Sequence, residues 1–399
     1  MKNRNFFEIS LFLLIITLTL GETSIFDIKL SWIFSVLAII ALLGSPKFRI
    51  YLDKDKTYLL AFLLFWATYS FLLFLFRVDY PQSIEGIFSL LVNIVVVLFL
   101  LIAIKDKQQV SFYIKAIRIG LIITFYFAFQ NVYLGSYVID IDPDLIRYRN
   151  VPVAFFGNPN DYATFLVICI FSIFVDSVIK RKITFSDILL IITSIFFLSQ
   201  SGSRSSIVAL LFFILMLVFY WILERMTKKS NFSYHTAILI TMIPTIFLIL
   251  FPELFFNIIT AIISNEQNII SDIYRLSIIK SSIALFLQSG LLGVGALNST
   301  LVLGINPHNM IIEILTDYGI FIYLGYLIAT YIILTNAKEG SNSSSKIVIY
   351  SIIPSYFILS NASSSMLRIR YSWILFAIIY IYAILSKNRE RDFKKNGSN

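Results

Sequence analysis

Apolar stretches, each close to the length that crosses a hydrocarbon core as a helix, follow one another from end to end of this chain. They fall at residues 6–20, 28–44, 57–76, 87–104, 116–133, 162–179, 185–199, 205–222, 236–251, 310–334, 347–360 and 371–386. The pattern predicts an all-α polytopic membrane protein with about 12 transmembrane helices. The stretches at 185–199 and 347–360 are shorter than the roughly 20 residues of a perpendicular span, so they must borrow polar flanks or tilt little. The first stretch has the basic start and apolar middle of a signal peptide. Its sequel "TLTLGETS" offers no small-x-small cleavage site, so it reads as the first span.

Composition agrees with this reading. Apolar residues make up 58% of the chain and charged residues 14%, against roughly 45–50% and about 25% in a soluble domain. Cys169, the single cysteine, lies within an apolar run and can form no internal disulfide. The net charge of +9 comes with no basic stripe, zinc spacing or stacking platform, so nucleic acid is not an expected partner.

Membrane topology explains the charge better. With both termini in the cytoplasm, "KRK" at 180–182, "RMTKK" at 225–229 and "SKNRERDFKK" near the end all fall inside, as the positive-inside rule requires. The internal cations are mostly lysine. The external ones are mostly arginine: Arg77, Arg147, Arg149, Arg204, Arg275, Arg368 and Arg370. A planar guanidinium grips carboxylate or phosphate at two points, which lysine cannot do. Residues 1–399 thus read as a single transmembrane domain. Two long external loops, 134–161 and 252–309, are expected to form its active-site face. The second contains "DIYRLSIIKSSIALFLQSG", an amphipathic pattern that predicts a helix resting on the outer membrane face.

Candidate chemistry gathers at the external ends of the spans. In "SQSGSRSSIVALL" Arg204 stands at a helix start, where its guanidinium joins free backbone amides as an anion site; the alternative is an interfacial anchor. Arg275, taken alone, reads as a solvated or headgroup-bound charge. The glycines of "SGLLGVGALNST" match neither a Walker loop nor a dinucleotide fingerprint. His308, one of two histidines, follows Pro307 and precedes a helix, which places it in the cap region at the aqueous boundary. A histidine there takes a proton from a hydroxyl near neutral pH. Metal binding is not expected, since no second histidine or cysteine is near. Glu313 and Asp317, further down that helix, require partners inside the bundle. Asn158 and Asn160 flank Pro159 before a span, and turn chemistry with Asp161 as N-cap accounts for most of that pattern. Arg147 and Arg149 grip phosphate or a sugar ring, or else offset Asp140, Asp142 and Asp144.

Four of these pieces, in this order, resemble the family of O-antigen ligases and of O-antigen and capsular polysaccharide polymerases: "GNPNDYA", "SGSRSSIVALL", "DIYR" with "GLLGVGALN", and "PHNMIIEILTDYGIFIYLG". The last is the most specific, pairing His308 and Asn309 with Asp317, Gly319 and Gly325. The resemblance implies a membrane-embedded glycosyltransferase of the bacterial cytoplasmic (inner) membrane, with its site on the outer side. Its substrate would be a polyprenyl-pyrophosphate-linked oligosaccharide. By that resemblance Arg204 and Arg275 hold the pyrophosphate and His308 deprotonates or orients the acceptor hydroxyl. Asn309, Asp317, Arg147, Arg149, Asn158 and Asn160 stand in support. Asp317 departs from relatives that carry glutamate there, which leaves its pairing open. The family implies no cofactor, nucleotide or metal, and membrane lipid and a chain-length regulator as partners. Polymerase and ligase share the same donor and stay open as alternatives, with polymerase favoured. A lipid-linked sugar transporter or flippase would also need external arginines, although transporters tend to place ionisable groups near the midplane of repeated halves.

Overall fold

The computed structural model describes residues 6–19, 24–25, 28–43, 53–135, 150–156, 158–227, 266–340, 343–362 and 365–396. Helices α1 (Phe6–Thr19), α2 (Leu30–Leu43), α3 (Lys54–Phe76), α4 (Ile84–Ala103) and α5 (Lys107–Phe129) make up the first part. Then come α6 (Pro159–Lys180), α7 (Phe185–Gln200), α8 (Arg204–Thr227), α9 (Glu266–Gln288) and the short α10 (Asn298–Leu303) and α11 (Met310–Glu313). The chain continues through α12 (Gly319–Glu339), α13 (Ser343–Leu359) and α14 (Arg370–Asn396). The one departure from all-α character among the described residues is a two-residue ladder, β1 (Ser24–Ile25) against β2 (Ile28–Lys29), antiparallel with Ser24 opposite Lys29.

Seven helical stretches among the described residues are long and apolar enough to cross a membrane. They are Lys54–Phe76, Ile84–Ala103, Lys107–Leu134, Pro159–Lys180, Arg204–Leu223, Met310–Glu339 and Arg370–Lys387. Shorter apolar helices cover Phe6–Thr19, Ile33–Leu43, Phe185–Gln200 and Ser343–Leu359. The chain is thus a multi-pass membrane protein. The stretch expected at 236–251 lies outside the described residues.

Short polar residues set the helix starts. Asp53 accepts from Lys56 N, Ser83 from Gly86 N and Asp106 from Gln109 N, while Thr184 and Asp187 form a reciprocal capping box. At α6 the cap is Asn158, with Pro159 in the first turn, and not the expected Asp161. Proline already has the φ of a first helical residue and lacks the N–H that would go unpaired, so the helix begins earlier than hydropathy suggests.

Burial separates inner from rim helices. The apolar window of α6 is 83% buried and that of α14 78%, whereas α8 has 28% and α3 33%. Leu64, Phe65 and Leu72 on α3 and Leu211, Leu215 and Phe219 on α8 are exposed. Apolar faces of this extent suit lipid, not water. Helix α6 packs against α5, α7, α8, α13 and α14, and so forms the axis of the bundle.

The end of the bundle that carries Lys387 is held by charge. Lys387 Nζ donates to Asn336 Oδ1 at 2.8 Å and pairs with Glu339 at 3.0 Å, while Asn336 Nδ2 donates to Asp55 at 2.9 Å. Lys56, buried, donates to the carbonyls of Leu101 and Ile104 and closes the C-terminus of α4. Towards the same end Arg118 bridges Asp176 of α6 at 2.5 Å and Asp187 of α7 at 2.8 Å, and Lys180 pairs with Asp176 at 2.7 Å. Every in-helix acid in this group has a basic partner, as a low-dielectric interior demands. The opposite end, which carries His308, is built differently.

Candidate functional site

The expected continuous helix over 310–334 is interrupted. After α11 comes a π turn, Ile314–Tyr318, and α12 restarts at Gly319, whose φ is +76°. The cause is a neighbouring strand of backbone. Val294 N donates to Thr316 O at 2.9 Å, Gly295 N to Asp317 O at 2.8 Å, and Ile320 N to Leu291 O at 2.9 Å. Backbone groups that a regular helix would use internally are thus spent on the 290–297 loop.

This explains the glycines that the sequence left unexplained. A Cβ on Gly293 would lie 2.6 Å from Asp317 O, and one on Gly319 would lie 2.4 Å from the carbonyl carbon of Leu292. Gly325 packs so closely on Phe62 that a Cβ there would fall 2.3 Å from its ring. All three serve close packing, not phosphate binding.

Arg77, at the end of α3, is drawn into the same assembly. Its Nε donates to Gly293 O at 3.2 Å and its Nη2 to Ser289 O, while Tyr69 OH donates to Leu292 O at 2.8 Å. Asp317 is fully buried. Its Oδ1 accepts from Ser299 N at 2.8 Å and its Oδ2 from Leu297 N at 3.2 Å, so it ties the π turn to the start of α10. Asp317 is therefore a brace for the loop.

Asn309 is the N-cap of α11, accepting from Ile312 N at 3.0 Å, and its Nδ2 donates to Asn361 Oδ1 at 2.6 Å. His308 stands one residue before the cap, half-buried, with φ +52°. That left-handed backbone is uncommon for a residue with a side chain. Glu313, four residues past the cap and buried, accepts from Ser365 Oγ.

The helix carrying Arg275 lies across this break. Ile278, Ser282, Leu285 and Ser289 form its buried stripe, and Thr316 Oγ1 donates to Ser282 O at 3.3 Å. Arg275, half-buried, is three residues before Ile278 and so shares that face. Exposed Ile273, Tyr274, Leu276, Ile283 and Leu287 cover the remainder of the helix, in keeping with the amphipathic pattern.

Arg204, also half-buried, opens α8 after Gly202, whose φ is +68°. Ser203 O accepts from Ile207 N at 3.1 Å, and Ser203 Oγ donates to Ser206 Oγ at 3.0 Å. Helix α8 packs along α13, with Tyr220 and Tyr350 in ring contact at 5.6 Å.

Asn158 serves as a cap, receiving Asn160 N at 2.8 Å, and the adjoining Asp161 O accepts from Tyr371 OH at 2.7 Å. Arg147 and Arg149 lie outside the described residues. Among the described residues no group of three or more His, Cys, Asp or Glu is gathered as metal ligands would be. A small apolar cavity lies behind Met310 and Met366, walled by Trp66, Tyr326 and Trp373.

A family model described as O-Antigen ligase matches residues 189–327. That stretch holds Arg204, Arg275, His308, Asn309, Glu313 and Asp317, together with the loop and the π turn that join them. Over that stretch the chain is similar to the O-antigen ligase family. It is also similar to the teichuronic acid biosynthesis protein TuaE of Bacillus subtilis (strain 168), at 23% identity over 350 residues, covering 80% of this chain and 70% of that protein. No solved structure matches.

The link that the sequence did not reveal is the connection from α13 to α14. Asn361 bonds Asn309, Ser365 bonds Glu313, and Leu367 O accepts from both Asn93 Nδ2 and Trp373 Nε1 at 2.9 Å. This segment lies beyond the matched stretch. Its one signal in the sequence was Arg368 and Arg370 beside a serine run.

Proposed function

We propose that this protein is a membrane glycosyltransferase that polymerises lipid-linked oligosaccharide repeat units into a surface polysaccharide, working on the outer face of the cytoplasmic membrane. The observation that carries the reading is the assembly around residues 310–318. The His308–Asn309 turn, the helix bearing Arg275 and the glycine loop all pack on that one helix break, within the stretch matched to the family. Arg204 opens α8 within the same matched stretch.

In this mechanism the acceptor hydroxyl oxygen attacks the anomeric carbon of the donor sugar. The bond from that carbon to the pyrophosphate oxygen breaks, and polyprenyl pyrophosphate leaves with the electron pair. His308 orients the hydroxyl and takes its proton. Arg204 and Arg275 stabilise the charge that develops on the leaving group; already oriented groups do this better than water, which must reorganise. A single in-line displacement inverts the anomeric configuration. The pyrophosphate linkage supplies the leaving group, so no nucleotide enters the scheme.

Similarity to TuaE, a teichuronic acid biosynthesis protein, favours an acidic polymer as product. The description of the matching family favours a second reading, transfer of a finished glycan to a lipid-anchored acceptor. The glycan profile of a deletion strain separates them: loss of long chains supports polymerisation, and long chains made but left unattached support ligation. The chemistry itself is tested with purified protein and a polyprenyl-pyrophosphate-linked repeat. His308→Ala is expected to lower kcat by about a hundredfold or more. Wild-type turnover in His308→Ala would refute the role given to it.

A further inference from the structure

Behind the His308 turn, an acidic residue is buried in the bundle. Glu313 is 1% exposed, in a helix long and apolar enough to span a membrane, where an acid must be fully hydrogen-bonded. Its partner comes from the segment at 365–368: Ser365 Oγ donates to it. Ser365 Oγ in turn accepts from Arg368 N at 3.2 Å. The neighbouring carbonyls are also engaged, Met366 O by Ser372 Oγ at 2.7 Å and Leu367 O by Asn93 and Trp373.

The backbone that carries Arg368 is therefore held on every side, yet the Arg368 side chain is exposed. No carboxylate among the described residues lies within ion-pair distance of it. An arginine needed only for solubility or for lipid headgroups would gain nothing from a rigid mount. A guanidinium that must meet an anion in a set orientation gains a great deal, since its ordering entropy is met in advance.

We propose that Arg368 is a third phosphate-binding arginine of this site, and that Glu313, acting through Ser365, is the positioning residue that sets it. The ligand class is the diphosphate of a polyprenyl pyrophosphate. The inference rests on the functional reading above and deepens it, since Arg368 lies outside the family-matched stretch. The departing pyrophosphate gains a third negative charge as its bond to the sugar breaks, beyond the two that two arginines balance, and a third guanidinium fork meets it.

The test is binding of undecaprenyl pyrophosphate, and separately of undecaprenyl phosphate, to the full-length protein in lipid nanodiscs. Arg368→Ala is expected to weaken pyrophosphate binding by about tenfold and monophosphate binding by less, with Arg368→Lys recovering part of the loss. Glu313→Gln keeps the volume but replaces the carboxyl group that accepts from Ser365 Oγ with an amide. It is expected to weaken binding similarly, and the double variant should be no worse than either single one. A purely structural role for Glu313 would make the two effects additive. If Glu313→Gln fails to fold, the exposed Arg368 variants decide alone. Pyrophosphate binding by Arg368→Ala within twofold of wild type, with binding lost in Arg204→Ala, would overturn this proposal and leave the glycosyltransferase reading intact. A wild-type protein that does not bind the lipid pyrophosphate would sink both.

Discussion

Asn309 and Asn361 share a hydrogen bond of 2.6 Å that joins the start of α11 to the end of α13. One asparagine thereby does two jobs, since its carbonyl oxygen caps α11 while its amide reaches across. The bond fixes the turn on which His308 stands.

Asn361→Ala removes the cross-link and leaves the cap. Its expected effect is a fall in kcat with little change in melting temperature, because His308 loses its lateral support and α11 does not. Asn309→Ala removes both, and the missing cap adds a stability loss of about 0.5–2 kcal/mol. Comparing the two by turnover and thermal melting separates orientation from folding. Equal losses of turnover and of melting temperature in both variants would contradict this assignment.

Gly293 and Gly304 both have positive φ, +89° and +72°, but only Gly293 is crowded. Gly304→Ala meets open space and should cost only the backbone strain, about 1 kcal/mol. Gly293→Ala drives a methyl into the backbone of Asp317 and should displace the loop, with a severalfold larger loss of stability. Limited proteolysis of the 290–299 segment should accelerate in Gly293→Ala alone. A matched response of the two glycines would disprove the steric account.

Arg118→Ala leaves Asp176 and Asp187 buried, with Lys180 as the cation still paired with Asp176 among the described residues. Breaking a buried ion pair in this way typically costs about 3–5 kcal/mol. The yield of folded protein in detergent should fall sharply. Adding Asp176→Asn and Asp187→Asn to Arg118→Met should restore part of it, because the uncompensated charges are then gone. Fluorescence-detected gel filtration reads both outcomes, and undiminished yield in Arg118→Ala would show that the bridge is dispensable.

The periodicity of the chain located its helices well. The expected apolar stretches in the described part all coincide with helices, because a bilayer helix must satisfy its own backbone and show lipid an unbroken apolar surface. Motif reading also brought His308, Asn309, Asp317 and the glycines into one neighbourhood, as residues of the matched stretch 189–327. It misjudged local detail where two signals competed: Asn158 with Pro159 overrode Asp161 as the cap, and the helix after His308 broke at 314–318 despite its apolar run.

What the sequence alone determined is the solvent this protein lives in, the helices that solvent imposes, and the bias of arginine toward one set of helix ends. These are local or compositional properties, carried by each stretch irrespective of its neighbours. Tertiary structure decided which polar residues meet. Glu313 finds Ser365 across 52 residues, Arg77 reaches a loop 212 residues away, and Asp317, whose pairing the sequence left open, meets Ser299 and Leu297. Hydrogen bonds between distant segments depend on how helices pack, and packing is read from shapes in contact, which no single stretch contains.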